Sequence, residues 1–297
     1  MKLQLSIVPI VLLLLLGSCK KEGSETALQK ETLYRVGFSC SNLPTKGIAP
    51  INGGIVAAMH CFGSGDNPLL KREWPGVPPL FKIESCGSVV PLDNSQLLLP
   101  QGVYSFYLLS TNGEEFNEPY NWGEYRVFNG RDYLFASTSP IYLTREQRVP
   151  LTFYHLSTAI AIQFVLKSEE ESTPTLHASL RLPLSPSSFQ LSSSFIEEAI
   201  GLEEHFTPFK LIENHLSTII LPLTKGVVPK LKVELQSEAP LPLLSKEIDL
   251  PAPDNHFKGG RRYRYLVEVS RKAINFAGAT VEEWSEEQIE ALSLQEI

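Results

Sequence analysis

Apolar and polar residues alternate along most of the chain in short runs, and turn residues interrupt those runs at close intervals. In the first run, residues 32–39, the apolar side chains of Tyr34, Val36 and Phe38 alternate with Arg35, Gly37 and Ser39. An alternation of period two predicts β-strands. Further strands are predicted over residues 55–62, 80–85, 88–91, 96–99, 103–110, 141–143, 149–153, 159–166, 177–182, 188–192, 216–221, 230–236, 245–248 and 262–269.

Proline and glycine separate these runs, and the chain contains 22 prolines. Because proline has no backbone N–H to donate to a strand ladder, it marks strand ends and sheet edges. Many short strands with such turns predict an all-β protein of sandwich type. A folded part of about 250 residues exceeds one small sandwich, so two tandem β-sandwiches are predicted, over residues 32–153 and 154–297, the second with a short tail.

Few segments have the pattern of a helix. The sequence predicts one short helix over residues 194–202. Ser285 followed by acidic residues predicts a capped helical turn over residues 285–289, since a serine N-cap and acidic groups in the first turn stabilise a helix start.

The beginning of the chain has the pattern of an export signal. Residues 3–16 are mostly apolar and follow Lys2, but the run is shorter than the roughly 20 residues that span a bilayer. It therefore predicts a cleaved signal peptide over residues 1–18, with cleavage between Ser18 and Cys19. Residues 19–31 are charged after the cysteine and predict a flexible tether.

The end of this signal, Leu16-Gly17-Ser18-Cys19, resembles the bacterial lipobox. The resemblance implies that Cys19 carries the lipid, begins the mature protein and anchors it to the outer membrane. The alternative is an ordinary secretory signal that happens to end at a cysteine.

Net charge and cysteine spacing argue against several classes of function. The net charge is −7 and long basic runs are absent, so a nucleic-acid partner is not expected. The cysteines that remain after Cys19 are odd in number and lack the close spacing of zinc or redox motifs. One disulfide could form among Cys40, Cys61 and Cys86, and the sequence leaves its state open.

The sequence shows no motif that would indicate a catalytic site. The six histidines are scattered, and serines near residue 187 lack the nucleophile-elbow pattern, so we expect no enzyme, no cofactor and no metal site. His155 is expected to be a packed structural side chain. Trp74, Trp122 and Trp284 could stack on sugar rings, with Trp122 the most loop-like of them.

Four segments together resemble the fimbrillin family of Bacteroidales lipoproteins, the subunits of type V pili. They are the segments Leu99–Tyr107, Asp132–Ala136, Val149–Ile162 and Phe257–Val269, the last followed by Ile274 and the trailing Trp284. The resemblance implies two transthyretin-like β-sandwich domains.

The same resemblance implies a non-enzymatic structural subunit or anchor of a cell-surface fimbria. It would assemble with other fimbrial subunits, as a homo- or heteropolymer, by exchanging or adding β-strands, and would meet the membrane through its lipid; an adhesion role towards a host or glycan ligand is left open. Stalk subunits of the family lose the first strand to a trypsin-like protease, and the candidate cuts here follow Arg35 or Lys46. The lent strand usually comes from the C-terminus, but residues 289–297 fit a strand and a short helix equally well. The alternative function is an outer-membrane glycan-binding lipoprotein.

Overall fold

The described part of the chain is built from β-strands. The computed structural model describes residues 32–42, 54–63, 80–84, 87–121, 123–167, 175–184, 187–191, 194–212, 214–236, 242–270 and 272–284. Every regular element in these ranges is a strand, which confirms the all-β prediction. Among these residues, none forms a helix of the length and apolar character that a bilayer crossing requires.

Most of the strands before residue 156 form one large sheet. The strands in this part of the chain are β1 Leu33–Asn42, β2 Ile55–Gly63, β3 Leu80–Ile83, β4 Ser88–Pro91, β5 Leu98–Pro100, β6 Gly102–Ser110, β7 Tyr120–Asn121, β8 Glu124–Val127, β9 Leu134–Ser137, β10 Ile141–Leu143, β11 Gln147–Thr152 and β12 Tyr154–His155.

Ten of these strands follow the order β11-β1-β4-β3-β2-β6-β9-β12, with β5 paired to β1 and β10 paired to β6. Their alternate side chains share one apolar cluster, which we call the first core; it includes Phe38, Met59, Phe81, Phe106 and Val149. A single sheet that places its strands around one core is a closed or strongly curved sandwich.

Most of the strands after residue 157 form a second sandwich. The strands in this part of the chain are β13 Thr158–Leu166, β14 Thr175–Leu180, β15 Ser187–Gln190, β16 Phe195–Ile196, β17 Thr207–Phe209, β18 His215–Ile220, β19 Lys230–Gln236, β20 Pro242–Asp249, β21 Arg261–Val269 and β22 Ile274–Glu283.

Two four-stranded sheets, β18-β13-β21-β22 and β17-β14-β19-β20, face each other across the second core. That core contains Ile160, Ile162 and Phe164 from one sheet and Leu180 and Val233 from the other. Inward residues alternate with outward ones along most of β13, β14 and β19, as the period-two pattern predicted.

A third core joins the two halves of the chain. Strand β8 pairs with β15 over four residues, so one small sheet, β16-β15-β8-β7, contains strands from both sides of residue 153. The third core includes Val56, Leu109 and Phe135 from the first half together with Phe189 and Leu221 from the second. Residues 33 onward form one compact unit, and the two-domain boundary at 153/154 stays a prediction.

The helix predicted over residues 194–202 is wrong. Strand β16 occupies its start, and the backbone N–H groups of Glu197 and Ala199 donate to the carbonyls of Ser188 and Pro222 at 2.8 and 3.0 Å. Because these carbonyls lie on other segments, they replace the local i to i−4 bonds that a helix would need. The helical turn predicted over residues 285–289 lies outside the described residues.

Candidate assembly site

The first strand lies inside the large sheet. Strand β1 pairs in parallel with β11 on one side, from Val36 opposite Gln147 to Asn42 opposite Thr152. On its other side it pairs antiparallel, first with β5 and then with β4. The strand predicted over residues 32–39 is thus confirmed, with its end three residues further along the chain.

Alternate residues of β1 enter the first core. Val36, Phe38 and Cys40 are buried, whereas Leu33 is 51% exposed. The ring of Phe38 meets the rings of Phe106 and Phe81 edge to face, with centroids 5.1 and 5.8 Å apart. Burying a phenylalanine or valine side chain stabilises a fold by roughly 1.5–3 kcal/mol, so this strand contributes strongly to its sheet.

The turn before β4 is fitted closely to β1. Gly87 accepts a hydrogen bond from the N–H of Cys40 at 2.7 Å, and its φ is +80°. A Cβ atom at Gly87 would lie 2.3 Å from the carbonyl oxygen of Cys40. Only glycine fits there, because both the close approach and the positive φ exclude a side chain.

The candidate processing residues lie in different surroundings. Arg35 is exposed, but its backbone is paired within β1 opposite Leu98. Paired strands are poor protease substrates because cleavage favours exposed loops. Lys46, Ser18 and Cys19 lie outside the described residues, so processing, signal cleavage and lipidation stay predictions.

Three of the four segments that carry the family resemblance meet at one place. Asp132 bonds His155 through Oδ1 and Nδ1 at 2.7 Å, and its Oδ2 accepts from the Asn112 side chain at 2.8 Å. The imidazole of His155 stacks on Trp284 with centroids 4.1 Å apart and planes 10° from parallel. His155 is thus buried and hydrogen-bonded, which confirms its structural role.

Backbone bonds complete this junction. Ser157 Oγ accepts from the N–H of Tyr133 at 3.1 Å, and the Ser157 carbonyl accepts from Gly260 at 2.8 Å. Gly260 in turn accepts from the N–H of Trp284 at 2.9 Å. The resemblance segments therefore connect the strands before residue 156 to those after it, and these residues stabilise the fold at this junction.

Gly259 lies in the last of the resemblance segments, and its close packing explains why a glycine stands there. This packing leads to a first prediction. A Cβ atom there would lie 2.2 Å from the Leu156 carbonyl oxygen. We expect Gly259→Ala to lower the free energy of unfolding by about 1–3 kcal/mol, because the backbones must move apart. Chemical denaturation measures it. Gly63→Ala is the control, since the nearest atom to a Cβ there is a ring carbon of Tyr104 at 4.0 Å. Equal losses in both variants would contradict the explanation.

Buried tyrosines give a second prediction. Tyr133 donates to Glu118 Oε2 at 2.9 Å, and burial raises its pKa from 10.0 to about 12. Burial also raises the pKa of Tyr263 to about 12. The neutral ring is therefore favoured in the folded state, a contribution complete below pH 10 and lost between pH 10 and 12.

We expect a stability loss above pH 10 that is shallower in Tyr133→Phe, because that variant has no proton to lose at this position. Unfolding at a series of pH values, with phenolate absorbance recorded in parallel, measures it. Tyr142→Phe is the control, since that side chain is 75% exposed. Ionisation of all ten tyrosines near pH 10 in the folded protein would contradict the prediction.

Other candidate residues show no joint arrangement. His60 bonds the Tyr125 hydroxyl, and His256 bonds Glu198 at 2.8 Å. Within the described ranges, no three His, Cys, Asp or Glu side chains gather as a metal site would require. Trp284 is buried under its stack with His155, which removes one of its ring faces from sugar binding.

The remaining candidate residues are cysteines and tryptophans, and some of them lie outside the described residues. Cys40 and Cys61 are buried, and Cys86 lies outside the described residues, so the disulfide question stays open. Trp74 and Trp122 also lie outside them. The sequence did not reveal the partners of β1, because β4, β5 and β11 all lie far along the chain from it and such distant pairing leaves no local pattern.

Comparison with known proteins finds the same fold elsewhere. No family model matches the sequence, and no curated protein matches it. A Bacteroides uniformis crystal structure, provisionally named a cell adhesion protein, superposes with a TM-score of 0.65 at 12% identity, over 85% of this chain and 98% of that one. A Bacteroides ovatus protein with the same provisional name gives 0.56 at 15% identity, over 86% and 98%.

A fimbrial assembly protein from Parabacteroides distasonis gives a TM-score of 0.48 at 12% identity, over 85% of this chain and 100% of that one. The shared fold rests on the first two structures. The β-sandwich fold that the family resemblance implied is thus found in solved structures of similar length.

Proposed function

We propose that this protein is a non-enzymatic structural subunit or anchor of a cell-surface fimbria, joined to its neighbours through β-strands. The observation that carries the proposal is β1, a first strand whose buried side chains fill a core built by later strands. Such a strand is a separable piece: it can be retained, or removed and replaced by a strand from another subunit.

The groove beneath β1 has the chemistry that strand addition requires. Removal of β1 would uncover Phe81, Phe106 and Val149, and would leave the facing backbone edges of β4, β5 and β11 without their ladder bonds. An incoming strand with apolar residues at alternate positions satisfies both needs at once.

Tethering through lipid on Cys19 is the second part of the proposal. Residues 19–31 would hold the folded part away from the outer membrane surface, on the outside of the cell. Retention of β1 together with the lipid fits an anchor, whereas cleavage after Lys46 fits a stalk subunit.

Immunogold electron microscopy of cells that make the protein tests the proposal. We expect label on surface fibres, at their base for an anchor or along them for a stalk subunit. N-terminal sequencing of fibre-borne chains then gives Cys19 or the residue after Lys46. Arg35→Gln, the matched control for Lys46→Gln, should leave processing unchanged.

Label spread over the cell body without fibres would contradict the fimbrial proposal. If such cells also bound a glycan, and if Trp122→Ala abolished that binding, the glycan-binding lipoprotein would replace it. If Arg35→Gln and Lys46→Gln both changed the number of fibres while the fibres themselves carried no label, that result would also count against a structural role.

A further inference from the structure

The outer face of the sheet β18-β13-β21-β22 contains an apolar groove of about 580 Å³. This face is opposite the one that covers the second core, since side chains alternate along each strand. Its lining includes the small residues Ala159, Ala161, Ser217 and Gly278. Small side chains on adjacent strands leave a depression that larger neighbours surround.

The edge of the groove combines apolar and cationic groups. Leu266 is 37% exposed and Trp284 lies at one end. Arg262 and Arg264 also line the groove, and Glu282 lies 2.7 Å from the Nε of Arg264. The indole N–H of Trp284 is buried and has no hydrogen-bond partner among the described residues. The groove therefore suits an apolar segment that brings a hydrogen-bond acceptor and negative charge.

The chain itself supplies such a segment directly after Trp284. Residues 285–297 contain four glutamates and no lysine or arginine, with apolar side chains at Ile289, Leu292, Leu294 and Ile297. Thirteen residues reach roughly 43 Å when extended and about 20 Å as a helix. Either length exceeds the five residues of strand, about 13 Å, between Arg262 and Leu266.

We propose that residues 285–297 fold back at Trp284 and pack into this groove of their own chain. Ile289 and Leu292 fill the depression over Ala161 and Gly278. The glutamates face the arginines, and a carbonyl of the segment accepts from the Trp284 indole. Covalent connection favours this intramolecular contact over one with a second copy, because a short linker gives an effective concentration near the millimolar range.

Photo-crosslinking in the full-length mature chain tests the inference. Benzoylphenylalanine in place of Leu292 should give intramolecular adducts with peptides from β13, β21 or β22. The same group in place of Ile200, which is 83% exposed and does not line the groove, is the control. Adducts between differently labelled copies would overturn the proposal in favour of a second chain as the occupant. Adducts confined to other surfaces would also overturn it.

A second measurement uses an apolar fluorescent dye. A chain that stops after Trp284 should bind the dye with at least about twofold stronger emission than the full chain, since an apolar patch is uncovered. A peptide of residues 285–297 should reverse the increase, whereas the peptide with Ile289→Ser and Leu292→Ser should not. Equal emission from both chains would contradict the proposal, whichever fimbrial role the protein has.

Discussion

A chain that begins at residue 43 is expected to lose the fold of its first sandwich. Strand β1 buries Val36, Phe38 and Cys40 in the first core and pairs with three other strands. At roughly 1.5–3 kcal/mol for each buried side chain, their loss approaches the 5–15 kcal/mol that a typical domain has in total. Unpaired backbone edges add to the loss.

Circular dichroism and denaturant unfolding of chains 20–297 and 43–297 measure this effect. A peptide of residues 33–42 added to the shorter chain should restore the unfolding transition, because it can refill the same groove. The peptide with Phe38→Asp should fail, since a carboxylate would enter the apolar core. An unchanged transition in the shorter chain would show that β1 is not part of the stable fold, and would weaken the strand-exchange proposal as well.

Phe38→Ala should have the largest effect of any single substitution in β1, with a loss of about 3–5 kcal/mol in the free energy of unfolding. The reason is a cavity between two aromatic rings, since Phe106 and Phe81 both contact Phe38 at their edges or faces. Neighbouring strands fix these rings, so the core cannot readily close around the space.

The matched control is Leu33→Ala in the same strand, where half of the side chain is exposed. We expect it to change the free energy of unfolding by no more than about 0.5 kcal/mol. Urea denaturation of both variants gives the comparison. A loss below about 1 kcal/mol for Phe38→Ala would mean that the first core repacks freely around β1.

Period-two alternation predicted most strands, because each places one face on a core. Strand β19, Lys230–Gln236, was predicted with its observed bounds, and it alternates buried and half-buried residues throughout. Strand β2 lacks that alternation: Met59 faces the first core and Ala58 the third, so both faces are buried. A continuous apolar run is the expected pattern for such a strand.

Edge strands and distant pairings escaped prediction for physical reasons. In β22 only Ile274 is fully buried, so its sequence carries no regular apolar face. The pairing of β8 with β15 depends on contacts between segments some sixty residues apart, which no local pattern encodes. The helix expected at residues 194–202 failed for the same reason, because Ser188 and Pro222 offered its backbone better-placed acceptors.

The candidate site was predictable in part. The sequence indicated a first strand and placed Arg35 inside it, and the structure agrees. The need for glycine at position 87 became visible only when the distance to Cys40 was known. The roles of Asp132 and Trp284 were likewise hidden, because each acts through His155, a residue far from both in the sequence.

The parallel pairing of β1 with β11 has a consequence for biogenesis. Arg148 and Phe38, which bond across this pair at 3.4 Å, are separated by 110 residues. A chain that crosses a membrane from its N-terminus would present β1 long before its parallel neighbour emerges. Until then the strand has an open edge and an uncovered apolar face, the state in which chains aggregate most readily. Folding during export would thus depend on a contact that covers β1 until β11 has emerged.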